Sequence, residues 1–149
     1  MIKERFTIGA SLDAKSIRKQ VFELELGESG FLDEYDNTCW ELVLYLDDSP
    51  ISTGRIRPID PETYIIEKLA VIKPIRGQTV GTYTVKYLTN KILSLGGRYA
   101  LVHCDSSLFT FFWKLGFSKN QLPLLPLGKN EIEMSKFLPK KYRNQYKYR

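Results

Sequence analysis

Three observations in the 149-residue chain predict a single-domain α/β fold, with a mixed, largely antiparallel sheet flanked by helices. A helical stripe near the N-terminus is followed by strand-like runs separated by turns. A long amphipathic helix and a shorter one then alternate with apolar strands. The composition is ordinary for a folded protein of a size that supports one core.

The elements follow in order. Arg5–Gly9 (RFTIG) reads as a first strand. Ser11 or Asp13 offers an N-cap for a helix reaching about Leu26, with Ala14, Ile17, Val21 and Leu24 at helical spacing. Gly27 ends it, and the following residues to Thr38 form an acidic loop. Cys39–Leu46 and Ile51–Arg57 form a hairpin about Asp47-Asp48-Ser49-Pro50. A turn at Ile59–Thr63 (IDPET) leads to a strand over Tyr64–Ile72.

Thr79–Leu95 is the best helix, with Val80, Tyr83, Val85, Tyr87, Leu88, Ile92 and Leu95 as its apolar residues, closed by Gly96-Gly97. Tyr99–Cys104 is a short apolar strand of the kind covered on both faces. Asp105 or Ser106 caps a helix whose Leu108, Phe111, Phe112 and Leu115 share a face. Gly116 stops that helix, Phe117 begins a strand, Gln121–Asn130 is a proline-punctuated loop, and Glu131–Phe137 is a last strand.

Composition narrows the function classes. The start MIKERF lacks a signal-peptide apolar run, and no stretch approaches the ~20 apolar residues of a membrane helix. Cys39 and Cys104 lie far apart with no ligand cluster, which points to neither a zinc site nor a disulfide framework; a reducing cytoplasm is expected. The net charge is +5, but Lys136–Arg149 holds six bases and no acid. Without those six, 16 of the 22 bases remain against 17 acids, so the body is close to neutral. Residues 1–138 are therefore read as one domain and 139–149 as a basic tail. Tyr142, Tyr146 and Tyr148 in the tail could stack on bases, but a solvated terminus is the preferred reading.

The chain is organised around Tyr64–Gly81 (YIIEKLAVIKPIRGQTVG). Gly77 and Gly81 permit a tight turn, the next helix aims its free N–H groups and positive dipole end there, and Arg76 adds charge. That combination binds phosphate or pyrophosphate. The stretch Glu67–Gly81 resembles the acetyl-CoA site of the GNAT superfamily of N-acetyltransferases, whose strand reads like EKLAV before R/Q-x-x-G-x-G/A. Arg76 takes the first place and Gly81 the last, while Thr79 replaces the middle glycine. Leu108–Phe117 (LFTFFWKLGF) resembles the family's A-x-x-F-Y-x-x-x-G-F segment, and Ile17–Phe22 and Ile51–Pro58 resemble the first helix and third strand of small bacterial members. The resemblance covers about residues 5 to 120.

What it implies is an acetyl-CoA N-acyltransferase fold, acetyl-CoA (CoA) as co-substrate and no metal. The strand after Tyr99 should part from its neighbour beyond Cys104, with pantetheine in the gap. Backbone groups of Leu69, Val71 and Ile72 would pair with pantetheine, and amides of Arg76, Gly77, Gln78, Thr79, Val80 and Gly81 would hold the pyrophosphate. Ser106 would line the cofactor, and Phe111 and Phe112, with Trp113, are read as core packing that also contacts it. The tyrosine that protonates the departing thiolate in many members corresponds to Phe112, which has no proton to give; Tyr83 and Ser106 are stand-ins.

The base is expected at Glu67. By strand alternation it shares a face with Leu69 and Val71, and apolar neighbours can raise its proton affinity. The competing reading is a strand-end charge paired with Arg55 or Arg57. His103 is read as a packing residue. On the acceptor side the acidic loop Glu28–Asp36 could draw a cationic amine, or Arg55 and Arg57 could recognise a carboxylate; both stay open. The expected activity is acetyl transfer to an amine of a small molecule or peptide, by a monomer or homodimer. The alternative is a non-catalytic acyl-CoA-binding sensor or partner module.

Overall fold

The computed structural model describes residues 1–77 and 79–139, so Gln78 and the tail from Lys140 lie outside the described residues. Seven strands form one sheet of order β1-β2-β3-β4-β5-β7-β6. They are β1 (Ile2–Ile8), β2 (Trp40–Leu46), β3 (Ser49–Asp60), β4 (Thr63–Val71), β5 (Tyr99–Asp105), β6 (Ser118–Lys119) and β7 (Glu131–Phe137). The helices are α1 (Leu12–Arg18), α2 (Val80–Ser94) and α3 (Phe109–Lys114). The β4–β5 pair is parallel, and β1–β2, β2–β3, β5–β7 and β6–β7 are antiparallel. The fold is the mixed α/β domain that the sequence pattern predicts.

Two compact units are distinguishable within it: Met1–Arg57 with Glu67–Leu88, and Pro58–Ile66 with the chain from Thr89. In the first, the β2–β3 turn sets Asp47 and Asp48 at φ +48° and +71°, the left-handed pair that a two-residue hairpin loop requires. Strand β3 sorts its side chains by parity. The Ser52 and Thr84 hydroxyls bond at 2.8 Å, and a Cβ on Gly54 would lie 2.6 Å from Leu88 Cδ1. Even positions of β3 therefore face α2, and a side chain at Gly54 would press on the Leu88 and Leu69 side chains.

Odd positions face the other way, toward α1. There Ala14, Ile17 and Val21 pack with Val43 and Ala70.

Helix α1 is shorter than its sequence stripe predicts. Ser11 is the cap, its Oγ accepting from the Ala14 amide at 3.2 Å. After Arg18 the chain winds as a π-helix over Lys19–Glu25. The wider turn shifts the phase of the stripe, so Leu24, expected inside, is 70% exposed.

In the second unit, β5 pairs with β7 along its full length, Tyr99↔Phe137 to Asp105↔Glu131. Its parallel register with β4 runs from Thr63↔Tyr99 to Ile66↔Val102, so it ends earlier than the expected parting beyond Cys104. Strand β6 is only two residues because the chain after it is drawn to Glu133. That buried carboxylate accepts from Asn120 Nδ2 at 2.7 Å and from the Leu124 and Leu125 amides at 2.8 and 3.2 Å. His103 Nε2 lies 2.9 Å from the same carboxylate, the satisfied partner expected of a packing histidine. Among the described residues no helix is long and apolar enough to cross a membrane.

Candidate functional site

Strand β4 is irregular at the residue that matters. Lys68 takes φ +54°, a left-handed residue inside the strand that kinks it as a bulge does. The bulge breaks the alternation expected of Glu67 and Leu69. Glu67 bonds to Arg55 and Arg57 on the odd face of β3. Leu69 Cδ1 lies 3.2 Å from where a Gly54 Cβ would be, on the α2 side. The shared face proposed for Glu67 and Leu69 is therefore absent, because one left-handed residue between them reverses the side.

The Glu67 carboxylate is clamped. Arg55 Nη2 donates to Oε1 at 2.6 Å, and Arg57 donates through Nε to Oε1 and through Nη2 to Oε2, each at 2.9 Å. Burial alone would push this carboxyl up. The hydrogen bonds and charges of Arg57 and Arg55 outweigh it and hold Glu67 below the ordinary value. The raised proton affinity expected of it is not found, and the ion-pair alternative describes the contact.

The clamp belongs to a wider network on that face. Arg55 forks onto Asp33 at 2.5 and 2.9 Å, and reaches Asp36 at 3.1 Å. Arg18, fully buried, joins Asp36 at 2.6 Å to Glu41 at 2.5 Å, and Thr53 donates to Glu41 at 2.5 Å. Tyr35 lies under both arginines, 4.6 Å from the Arg57 guanidinium and 5.6 Å from that of Arg55. Within the acidic loop Glu34–Asn37 is a capped turn, and Asp33 and Asp36 neutralise buried arginines. Arg55 is 1% exposed, so its fork does not stand open to an acceptor, whereas Glu28 and Glu34 of the loop remain exposed. An arginine set among Ala14, Ile17 and Val21 was the sequence signal for Arg18, and the reading passed over it.

The turn after β4 has the conformation of an anion cradle. Gly77 and Thr79 take φ +83° and +66°, and the Thr79 carbonyl accepts from the Tyr83 amide at 3.1 Å, opening the 15-residue α2. A Cβ at Gly77 would meet nothing within 4 Å, so space beside the turn is open and φ alone selects glycine. Two expected ligating groups are already used. The Arg76 amide donates to Lys73 O at 3.2 Å, and the Ile72 amide donates to Ile51 O at 3.0 Å, toward β3. Because neighbouring peptides alternate, those of Val71 face the opposite edge of β4. Val80 contributes its backbone only, its side chain being 4% exposed. Gly81 lies in the first turn of α2, Tyr83 is half exposed just after it, and Gln78 is outside the described residues.

The Arg76 side chain turns back over β4. Its Nε donates to Val71 O at 2.9 Å, and both terminal nitrogens meet the Glu25 carboxylate, one of them (Nη2) at 2.5 Å. Those hydrogen bonds hold the Glu25 carboxyl below its usual range. Nothing in the sequence pattern pointed to Glu25.

The model of the acetyltransferase (GNAT) family matches residues 12–117. The chain belongs to that family. Relatives include the uncharacterized protein YyaT of Bacillus subtilis, 27% identical over 139 residues, 89% of this chain and 93% of YyaT. A provisionally assigned N-acetyltransferase of Lactobacillus plantarum superposes with a TM-score of 0.81 at 24% identity, covering 93% of this chain and 99% of that one. A GNAT family acetyltransferase of Elizabethkingia anophelis with acetyl-CoA bound gives 0.73 at 14% identity, covering 92% and 98%.

In the GNAT segment that ends at Phe117, the core packing expected at Phe112 is found and its contact with a cofactor is not. Phe112 is 1% exposed and stacks edge-on with Phe111 and Phe117 at centroid distances of 4.9 and 5.5 Å. It is core, with no face left to line a cofactor, whereas Phe111 stays half buried. Ser106 is exposed in the short 3-10 turn that Asp105 caps. Among the described residues no group of three His, Cys, Asp or Glu could hold a metal ion.

Proposed function

We propose that this chain moves an acetyl group from acetyl-CoA directly onto an amine of a small molecule or peptide. One observation carries the reading: the left-handed turn at Gly77 and Thr79 that feeds the N-terminus of α2 in a GNAT chain. The N-terminal amides of α2 and the positive end of the helix dipole suit the diphosphate of CoA. The β4 edge at Val71 suits the amide groups of pantetheine, which lies along it as an added strand would.

The transfer is one step. The amine nitrogen attacks the thioester carbonyl, the C–S bond breaks, and the CoA thiolate takes a proton. An enzyme thiol does not intervene in this reading. Burial, then the charges of Asp105 and Glu131, push the Cys104 thiol up to about 11, and burial also raises Cys39, so both stay protonated near neutrality. Glu67, ionised and clamped, serves as a fixed anion that sets Arg55 and Arg57, and the ammonium proton leaves to solvent. Tyr83 and Ser106 are the exposed hydroxyls proposed to meet the thiolate. Catalysis comes chiefly from placing the amine and polarising the carbonyl.

The buried Phe112 favours a second reading, a non-catalytic acyl-CoA-binding sensor or partner module, since it puts no proton donor where many members have one. Purified protein with acetyl-CoA and a panel of amines and peptides, followed by free thiol and product mass, separates the two. Thiol release with an acetylated product is expected. CoA binding without release from any acceptor would transfer the conclusion to the sensor.

A further inference from the structure

The Glu25–Arg76 pair ties the phosphate turn to the end of a π-wound segment, and both halves of that tie bear on the cofactor. Arg76 spans the two surfaces that acyl-CoA needs. Its guanidinium stands beside the turn that would hold the diphosphate, and its Nε covers Val71 O on the β4 edge that would pair with pantetheine. Glu25 is the last residue of the π segment Lys19–Glu25. That winding is held at its end by Leu26 N to Val21 O at 3.1 Å, Gly27 N to Glu23 O at 2.9 Å and Glu28 N to Phe22 O at 2.7 Å.

The π register leaves an apolar residue misplaced. Ala14, Ile17 and Val21 are buried at helical spacing, and Leu24 continues that spacing yet is 70% exposed. An α register over the same residues returns Leu24 to the stripe. The observed π winding holds Glu25 at Arg76, and an α winding of the same residues would bury Leu24.

We propose that Glu25 and Arg76 form a cofactor-released latch: the diphosphate of an acyl-CoA takes the Arg76 guanidinium from Glu25, and the freed Lys19–Glu25 segment rewinds from π to α and turns Leu24 inward. The inference rests on the acyl-CoA reading of the Gly77–Gly81 turn. A diphosphate matches the guanidinium fork as a carboxylate does and carries more charge than the single Glu25 carboxylate, so it can compete for Arg76. Coupling follows because the exchange changes the winding at the far end of the pair.

CoA titration by calorimetry and amide hydrogen exchange over residues 19–28 test this in the wild type and in Glu25→Gln. In the wild type, CoA is expected to bind and to change exchange at Leu26, whose amide closes a π turn, and at Glu28, whose amide bonds back to Phe22 at the end of the segment. Ligand-free Glu25→Gln should already show the CoA-bound exchange pattern. It should also bind CoA about two- to five-fold tighter, the range expected on removing an exposed competing ion pair. Wild-type CoA binding with the same exchange and affinity in Glu25→Gln would overturn the latch and leave the cofactor site standing. Absence of CoA binding to the wild type would overturn both.

Discussion

Thr79 offers a sharp test of the cradle, because the backbone there selects against the residue present. It is a β-branched residue at φ +66°, exposed, with its carbonyl already accepting the first α2 hydrogen bond. A left-handed conformation costs an L-residue about 1–2 kcal/mol. Glycine escapes that cost but loses about 0.4–1 kcal/mol through the freedom of its unfolded chain. As N-caps, threonine and glycine are nearly equal. Thr79→Gly should therefore gain about 0.5 kcal/mol. Thr79→Val keeps the branch and gives up the hydroxyl, losing about 1 kcal/mol. The Gly-to-Val spread of about 1.5 kcal/mol corresponds to roughly 3–6 °C in Tm for a chain of this size. Thermal melts of the Gly, Asn, Thr and Val proteins without ligand should rank in that order, since asparagine tolerates the left-handed region. A valine protein that melts at or above the glycine protein would refute the argument from φ.

Three other outcomes follow from the buried charges and the aromatic core. Arg18→Met strands Glu41 with Thr53 as its remaining hydrogen-bond donor in this network, and should cost about 3–5 kcal/mol by urea unfolding; a loss under 1 kcal/mol would contradict the pairing. Phe112→Tyr restores the residue usual at that place in the family, but sets its hydroxyl in the packed aromatic cluster. It should lower stability by about 1–3 kcal/mol without raising the acetylation rate, and a faster enzyme would show that the ring reaches the thiolate. Asp33, Asp36 and Glu67 all have lowered values in the folded state, so the stability they contribute is present above their unfolded values of 3.8 to 4.5. It is lost as pH falls through the lower folded values, and Glu67→Gln should flatten that acid limb. An unchanged limb would remove Glu67 from the account.

The sequence was most informative where local pattern and burial coincide. The alternation and turn residues from Cys39 to Arg57 specified a hairpin whose loop is Asp47-Asp48. The spacing of Val80, Val85, Leu88 and Ile92 specified α2, and the glycine turn with the Gly116-Phe117 motif identified the family. These signals are local in the chain, set by backbone propensity and one buried face.

What tertiary structure alone decided involves partners distant in sequence. Lys68 is a lysine in a strand pattern, and no residue type announces that it bulges; the bulge moved Glu67 to the arginine face and ended its expected role as a base of raised proton affinity. Nothing local marks Asp33 and Asp36 as partners of Arg18 and Arg55, which come to them from 18 to 22 residues away. Glu25 met Arg76 across 51 residues, at the end of a helix whose winding its own stripe did not foretell. Charge pairing works through space, whereas periodicity works along the chain. The family was therefore legible in the sequence, and the electrostatics around the β4–α2 turn were not.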